Sequence, residues 1–122
     1  MKFAIMGAGA VGGYVGACLL KERHDVTFIA RGKHLKALKQ NGITILSDRQ
    51  NLHFDNIKVT DDTSQIGIVD TIIFSVKLWD TIEAIRTCMP LIGPQTHVLP
   101  LQNGVESIKI LSERVGAKHV LG

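Results

Sequence analysis

The feature that most constrains the fold of this chain is a run of spaced glycines near its N-terminus, Gly7-Ala8-Gly9-Ala10-Val11-Gly12. The short apolar segment before it, residues 2–6, predicts a β-strand. The segment after it, residues 11–22, predicts a helix, because apolar side chains recur on one face at Val11, Val15, Cys18 and Leu19. A strand, a glycine-rich turn and a helix in this order are typical of the first unit of a parallel sheet.

The rest of the chain continues this alternation. Further strands are predicted at residues 25–30, 43–46, 52–54, 57–60, 70–76 and 97–101, and another begins at residues 119–121. Further helices are predicted at residues 33–40, 80–89 and 106–115. Strands alternating with helices predict an α/β fold of the Rossmann type, a doubly wound, mainly parallel sheet covered on both faces. The run 70–76 has a nearly continuous apolar stretch at Ile72, Ile73, Phe74 and Val76, as expected for a strand buried on both faces.

Local signals sharpen the predictions for the shorter helices. Their core-facing side chains are predicted to be Leu35, Leu38, Ile82, Ile85 and Met89. Asn41-Gly42 is expected to end the helix at 33–40 as a C-cap pair. Asp80 and Glu83 have the spacing of an N-cap residue and its partner in the first turn of the next helix.

Composition fits one compact domain and excludes several classes of protein. The chain has 122 residues, of which 45% are apolar, enough for a single hydrophobic core. Its net charge of +3 suits an anionic small molecule, and the absence of a Lys/Arg run argues against nucleic acid as a partner. Cys18 and Cys88 lie far apart, so we predict two reduced thiols in the core of a cytoplasmic protein. The five histidines are scattered, and no metal site is predicted.

The uncharged run at residues 3–20 has a second interpretation, as a signal peptide or a marginal membrane span. Glycines at positions 7, 9, 12, 13 and 16 weaken a single apolar helix over this length. Their spacing fits the strand, turn and helix better, so no membrane association is predicted.

The spaced glycines have a chemical interpretation as a cradle for a dinucleotide. Gly7 permits a tight turn, Gly9 lets the backbone approach a pyrophosphate, and Gly12 lets helix and strand pack closely. Free N–H groups at the helix start then face the phosphates. A plain tight turn without a ligand is the alternative. Gly13 and Gly16 are assigned to close packing of the helix on the sheet.

The end of the second strand carries Arg31, where NAD-binding sheets place an Asp or Glu that binds the adenosine ribose. A guanidinium can instead hold a 2′-phosphate with paired, charge-assisted hydrogen bonds. Arg31 therefore predicts NADP (NADPH) as the cofactor, with Lys33 or Lys36 adding to the positive field. The alternative is a solvated surface arginine.

Two polar residues follow later strands of the predicted sheet. Lys77 follows the strand at 70–76, and Asn103 follows the strand at 97–101. Ligands bind at the carboxyl ends of such strands, so Lys77 is predicted to contact a ribose or phosphate, and Asn103 the nicotinamide, a ribose or a bound carbonyl. The alternatives are a lysine that reaches solvent and a simple Asn-Gly turn.

Four segments in this order, "GAGAVGG", "ARGKHLKAL", "VDTIIFSVK" and "LPLQNGVES", resemble the N-terminal domain of the 2-dehydropantoate 2-reductase (ketopantoate reductase) family. The resemblance implies NADPH-dependent reduction of 2-dehydropantoate to (R)-pantoate, in pantothenate and coenzyme A biosynthesis. By position, residues 7–12 would hold the pyrophosphate and Arg31 the 2′-phosphate. Lys77 would contact the ribose region, and Asn103 the nicotinamide and the 2-oxo acid substrate.

The resemblance has two departures. After the lysine the family often has Ala-Tyr-Gln, whereas this chain has Leu78-Trp79-Asp80, so a contact made by the amide is in doubt at Asp80. The family also has a C-terminal helical domain that supplies a proton-donating lysine and substrate ligands, and through which any homo-oligomer would form. Residues 1–122 are expected to be the NADP-binding domain, truncated as a strand begins, with no catalytic residue and no turnover by themselves.

Two other functions stay open from the sequence. One is a different NADP-dependent 2-oxoacid or opine-type reductase, because the missing half chooses the substrate. The other is a non-catalytic module that senses NADP(H) and reports to a partner.

Overall fold

The computed structural model describes residues 1–7, 9–46, 48, 51–76, 81–101 and 105–121. Its strands are β1 (Lys2–Met6), β2 (Asp25–Ile29), β3 (Ile43–Ile45), β4 (Leu52–Phe54), β5 (Lys58–Thr60), β6 (Thr71–Phe74) and β7 (His97–Pro100). Its α-helices are α1 (Ala10–Lys21), α2 (Gly32–Asn41), α3 (Thr81–Cys88) and α4 (Val105–Val115). Short 3₁₀ turns are formed by Thr63–Gln65, Met89–Leu91 and Ala117–His119.

Five of these strands form one parallel sheet in the order β5-β2-β1-β6-β7. The chain builds outward from β1 in one direction through β2 and β5, and then in the other through β6 and β7. This reversal beside β1 is the switch point at which doubly wound sheets open a crevice for ligands. β3 and β4 form a separate antiparallel pair. The predicted Rossmann-type α/β fold is therefore confirmed, with flanking helices and a mainly parallel sheet.

The hydrophobic core has two layers, one on each face of the sheet. Alternate residues of β1 enter different layers, because successive side chains of a strand point to opposite faces. Met6 packs with Phe74, Ile85 and Leu111 in one layer, and Ile5 packs with residues such as Phe28 and Leu38 in the other. Every residue of β6 is buried, which confirms the prediction of a strand covered on both faces.

The uncharged run at residues 3–20 is divided between β1 and α1 rather than forming one helix. Among the residues that the structure describes, no helix has the length and apolar character needed to cross a bilayer. Cys88 is buried in the core as predicted, and burial raises the pKa of its thiol to about 12. It therefore stays protonated and unreactive at neutral pH.

Two apolar side chains predicted to face the core are exposed. Val11 is 47% exposed, because it lies in the first turn of α1, at the edge of the sheet. Met89 is 46% exposed, because α3 ends at Cys88 and a 3₁₀ turn buries Leu91 instead. Helical spacing predicts a face, but it cannot tell where a helix extends beyond its partner or changes its pitch.

The predicted ends of two segments have different outcomes. Gly42 is the C-cap of α2, and its N–H donates to the carbonyl of Leu38 at 3.0 Å, as the Asn41-Gly42 pair predicts. At residue 119, where a strand was expected to begin, the chain is in a 3₁₀ turn. Val120 forms an isolated parallel bridge with Val98 of β7, and the Leu121 N–H donates to the Val98 carbonyl at 2.9 Å. The turn ends at His119, whose ring is buried with its Nδ1 2.8 Å from the carbonyl oxygen of Thr96.

Candidate functional site

The candidate site lies at the carboxyl edge of the parallel sheet, around the end of β1. Met6 is aligned there with Ile29 of β2 and Phe74 of β6. Backbone hydrogen bonds continue past the strands, from the Gly7 N–H to the Ile29 carbonyl at 3.5 Å and from the Ser75 N–H to the Met6 carbonyl at 2.9 Å. The segments that follow three strands therefore meet at one place.

Gly7 makes the turn that leaves β1, and no other residue fits there. Its φ of +91° lies in the left-handed region, and a Cβ would collide with the carbonyl oxygen of Ser75. Gly12 has the same kind of constraint, since its Cβ would meet the carbonyl oxygen of Gly7 and lie 3.3 Å from Cγ2 of Ile5. Because neither glycine has a Cβ, the start of α1 can pack closely against the end of β1.

Gly9 differs, because a Cβ built there finds no heavy atom within 4 Å among the residues the structure describes. Gly9 is also the N-cap of α1, and it has no side chain to cap the free N–H groups. The first turn of α1 contains no acidic residue, so its positive end is not neutralised from within the helix. The open backbone and a helix start without an acidic residue or a side-chain cap together make a place where an anion would be stabilised.

Gly16 confirms the packing role assigned to it. A Cβ at this position would overlap the ring of Phe28, with 2.6 Å to Cζ, and would lie 3.2 Å from Cγ1 of Ile5. The glycine therefore sets how closely α1 approaches β1 and β2. It serves the scaffold beneath the site rather than the site itself.

Arg31 follows β2 by two residues and is the N-cap of α2, with an extended backbone. The next residue, Gly32, has a φ of +61°, and a Cβ there would meet nothing within 4 Å. The guanidinium Nη1 of Arg31 pairs with the carboxylate Oε1 of Glu83, in the first turn of α3. The two side chains are 42% and 50% exposed, so Arg31 is partly exposed but has a defined partner.

Glu83 is the residue of this site that the sequence reasoning missed. It is predicted above to cap α3 together with Asp80, which lies outside the described residues. The strand order could have predicted the position of Glu83, because α3 follows β6, and β6 and β2 flank β1 on opposite sides. A charge in the first turn after β6 can therefore face a charge at the end of β2. Local spacing alone did not reveal this pairing.

Three predicted site residues, Ala8, Lys77 and Asn103, lie outside the described residues. So do the departures at Leu78, Trp79 and Asp80. For Ala10 and Val11, the structure shows that their backbone forms the first turn of α1. The roles of all these residues in ligand binding stay predictions.

Surface grooves flank the sheet among the described residues, and two of them bear on the site. One has a volume of about 500 Å³ and reaches from Gly9 along α2 to β3; its lining includes Gly13, His34, Asn41 and Ile43. The other, of about 640 Å³, lies at the amino ends of the strands, where Lys2, Asp25 and Lys58 line it. Ligands of open parallel sheets bind at the carboxyl ends, so the larger groove is on the wrong edge for a dinucleotide.

Fold and site geometry define a Rossmann-like α/β domain with a glycine turn at its switch point. The family described as "Ketopantoate reductase PanE/ApbA" matches residues 3–122. The chain therefore belongs to the PanE/ApbA ketopantoate reductase family, as the resemblance in its sequence predicts.

Individual proteins agree with this assignment. A 2-dehydropantoate 2-reductase from Pyrococcus horikoshii is 38% identical over 95% of this chain and 37% of its own length. The crystal structure of 2-dehydropantoate 2-reductase from Porphyromonas gingivalis W83 is 32% identical, with a TM-score of 0.88 over 98% of this chain and 44% of that chain. A D-mandelate dehydrogenase structure with NADH and anilino(oxo)acetate is 25% identical, with a TM-score of 0.86 over 98% and 39%.

The chain spans 40% and 32% of the lengths of two curated relatives that it matches. The comparisons therefore concern the dinucleotide-binding end of longer proteins.

Proposed function

We propose that this chain is the NADPH-binding part of a 2-dehydropantoate 2-reductase, which reduces 2-dehydropantoate to (R)-pantoate in the pantothenate and coenzyme A pathway. The observation that carries the proposal is the meeting, at one edge of the sheet, of the Gly7 turn, the open Gly9 backbone and Arg31. Membership in the ketopantoate reductase family supports the choice of reaction.

The glycine turn fits the pyrophosphate of a dinucleotide. Gly9 leaves the backbone accessible, and the N–H groups at the start of α1 have no side-chain cap. In our proposal the backbone from Gly7 to Gly12, including Ala8, Ala10 and Val11, surrounds the pyrophosphate, and the positive end of the helix stabilises its charge.

Arg31 is proposed to bind the 2′-phosphate and thereby select NADPH. Its place after β2 is where the adenosine ribose lies in sheets of this kind. Paired N–H groups of a guanidinium match the oxygens of a phosphate. The D-mandelate dehydrogenase of similar fold was solved with NADH, so the fold accepts NADH. In our proposal the side chain of Arg31 shifts the choice toward NADPH.

The chemistry is proposed to divide between this chain and a second domain. Bound NADPH supplies the hydride for the C2 carbonyl of the 2-oxo acid. Lys77 would hold the ribose region, and Asn103 would orient the nicotinamide and the substrate carbonyl, which keeps the reacting atoms in register. A lysine of the second domain would donate the proton to the oxygen at C2. Residues 1–122 alone should therefore bind NADPH without turnover.

A reductase for another 2-oxo acid is the second candidate. The observation in its favour is the similar fold of the D-mandelate dehydrogenase bound to NADH and anilino(oxo)acetate. For either substrate we place the protein in the cytoplasm, since Cys18 and Cys88 are free thiols.

The variant Arg31→Ala tests the cofactor assignment. We expect the wild-type chain to bind NADPH more tightly than NADH, and the variant to lose about ten- to a hundredfold in NADPH affinity with little change for NADH, because a hydrogen bond to a charged group contributes about 1.5–3 kcal/mol. Isothermal titration calorimetry with each nucleotide measures both values. Equal losses for the two nucleotides would refute the role of Arg31, and failure of the wild type to bind either would refute the proposed function.

A further inference from the structure

The ion pair between Arg31 and Glu83 joins the two sides of the crevice. Arg31 lies at the end of β2 and Glu83 in the first turn after β6, and β1 runs between those strands. A carboxylate is therefore present beside the guanidinium that is proposed to receive a phosphate. This arrangement bears directly on the choice between NADPH and NADH.

We propose that Glu83 is a specificity-determining residue that lowers the preference of this site for NADPH over NADH. This inference rests on the proposed function, because it concerns the same nucleotide site. Glu83 acts in two ways: its carboxylate occupies Arg31, and its charge repels the 2′-phosphate.

The first effect follows from charge balance. A phosphate monoester carries about −1.5 to −2 charges at neutral pH, and a lone guanidinium would attract it strongly. Arg31 already has a negative partner, so the pair as a whole offers less net positive charge to a third group. Because the two side chains are 42% and 50% exposed, their pairing is weak enough for a phosphate to replace the carboxylate.

The second effect persists after the exchange. A phosphate bound to Arg31 would lie within a few ångströms of the displaced carboxylate, since both groups reach the same guanidinium. Like charges at this separation repel even in an exposed site. The exposed basic residues Lys33 and Arg86, on α2 and α3, add a positive background. They are unchanged when Glu83 is substituted, so they do not alter the comparison.

The Glu83 carboxylate does not repel NADH, which has no 2′-phosphate. Its 2′-hydroxyl is a donor, and a carboxylate accepts hydrogen bonds from a ribose hydroxyl in NAD-type sites. Glu83 supplies such an acceptor from the helix after β6, although the usual position at the end of β2 holds Arg31. The site thus contains a group suited to each nucleotide.

The test compares Glu83→Gln with the matched control Glu113→Gln, which removes an equal charge from an exposed position of α4. Calorimetric titrations with NADPH and with NADH are made on both variants and on the wild type. We expect Glu83→Gln to bind NADPH about three- to tenfold more tightly, as expected from removing one nearby negative charge in a largely solvated site. NADH binding should be unchanged or slightly weaker, and Glu113→Gln should match the wild type.

The same titrations in high salt separate charge from shape. We expect the gain in Glu83→Gln to shrink as salt rises, because exposed charges are screened. A ratio of NADPH to NADH affinity that is unchanged or lower in Glu83→Gln would overturn the role of Glu83 while leaving the proposed function intact. So would an equal gain in Glu113→Gln, or a gain that salt does not diminish. Wild-type protein that binds neither nucleotide would overturn both proposals.

Discussion

The glycines at the carboxyl edge of the sheet fall into two groups that look alike in the sequence. A Cβ at Gly7, Gly12 or Gly16 would collide with atoms of the protein itself. A Cβ at Gly9 or Gly32 would meet nothing within 4 Å among the described residues. The first group is required by the packing of α1 on the sheet. The second group leaves open space at the surface, so packing does not require glycine there. The need for glycine then comes from a ligand or from the backbone conformation.

The largest effect is expected for Gly7→Ala. Alanine at this position has two costs. The left-handed φ costs about 1–2 kcal/mol for a residue other than glycine, and the new Cβ collides with the Ser75 carbonyl. Together with typical costs of overpacking, we expect a loss of about 2–5 kcal/mol in the free energy of unfolding. Urea denaturation followed by circular dichroism measures this loss. A variant as stable as the wild type would mean that Gly7 belongs with the open glycines.

Gly9→Val tests the opposite group. The φ of Gly9 is −74°, which any residue can adopt, and the space around it is open, so we expect the stability to change by less than about 0.5 kcal/mol. NADPH affinity should nevertheless fall by tenfold or more, about 1.4 kcal/mol, because the side chain would occupy the approach to the backbone. Denaturation and calorimetry on the same preparation separate the two effects. Unchanged affinity would remove Gly9 from the proposed site.

A smaller loss of stability than that of Gly7→Ala is expected for Gly32→Ala, which separates conformation from collision. Gly32 shares the left-handed φ of Gly7 but lacks its steric contact, so only the backbone cost of about 1 kcal/mol should appear. Chemical denaturation measures it beside Gly7→Ala. A loss as large as that of Gly7→Ala would show that conformation alone accounts for the cost at Gly7, and that collision does not separate the two groups.

Sequence patterns predicted most of the fold because the central strands are buried on both faces. Every residue of β6 is buried and three of its four residues are apolar, and an apolar run of this kind is a signal that does not depend on distant partners. Val11 and Met89 were predicted to face the core and are exposed. The spacing of apolar residues does not show where the packed face of a helix ends. The turn at Gly7 and the place of Arg31 after β2 were both visible in the sequence.

The partner of Arg31 was not visible. Arg31 and Glu83 are 52 residues apart, and their pairing depends on the order of the strands rather than on spacing along the chain. Glu83 also had a local interpretation as the capping partner of Asp80, which stays a prediction because Asp80 lies outside the described residues. Lys77 and Asn103 stay predictions, since they lie outside the described residues.

The central place of β1 has a consequence for how this protein is made. One edge of β1 pairs with β2, which is synthesised soon after it, but the other edge pairs with Thr71–Phe74, much later in the chain. A ribosome adding about 5–20 residues per second leaves that second edge without its partner for several seconds. During this interval the nascent chain presents an apolar strand to its surroundings. We expect chaperones to be needed most at this stage, before β6 emerges and pairs with the second edge of β1.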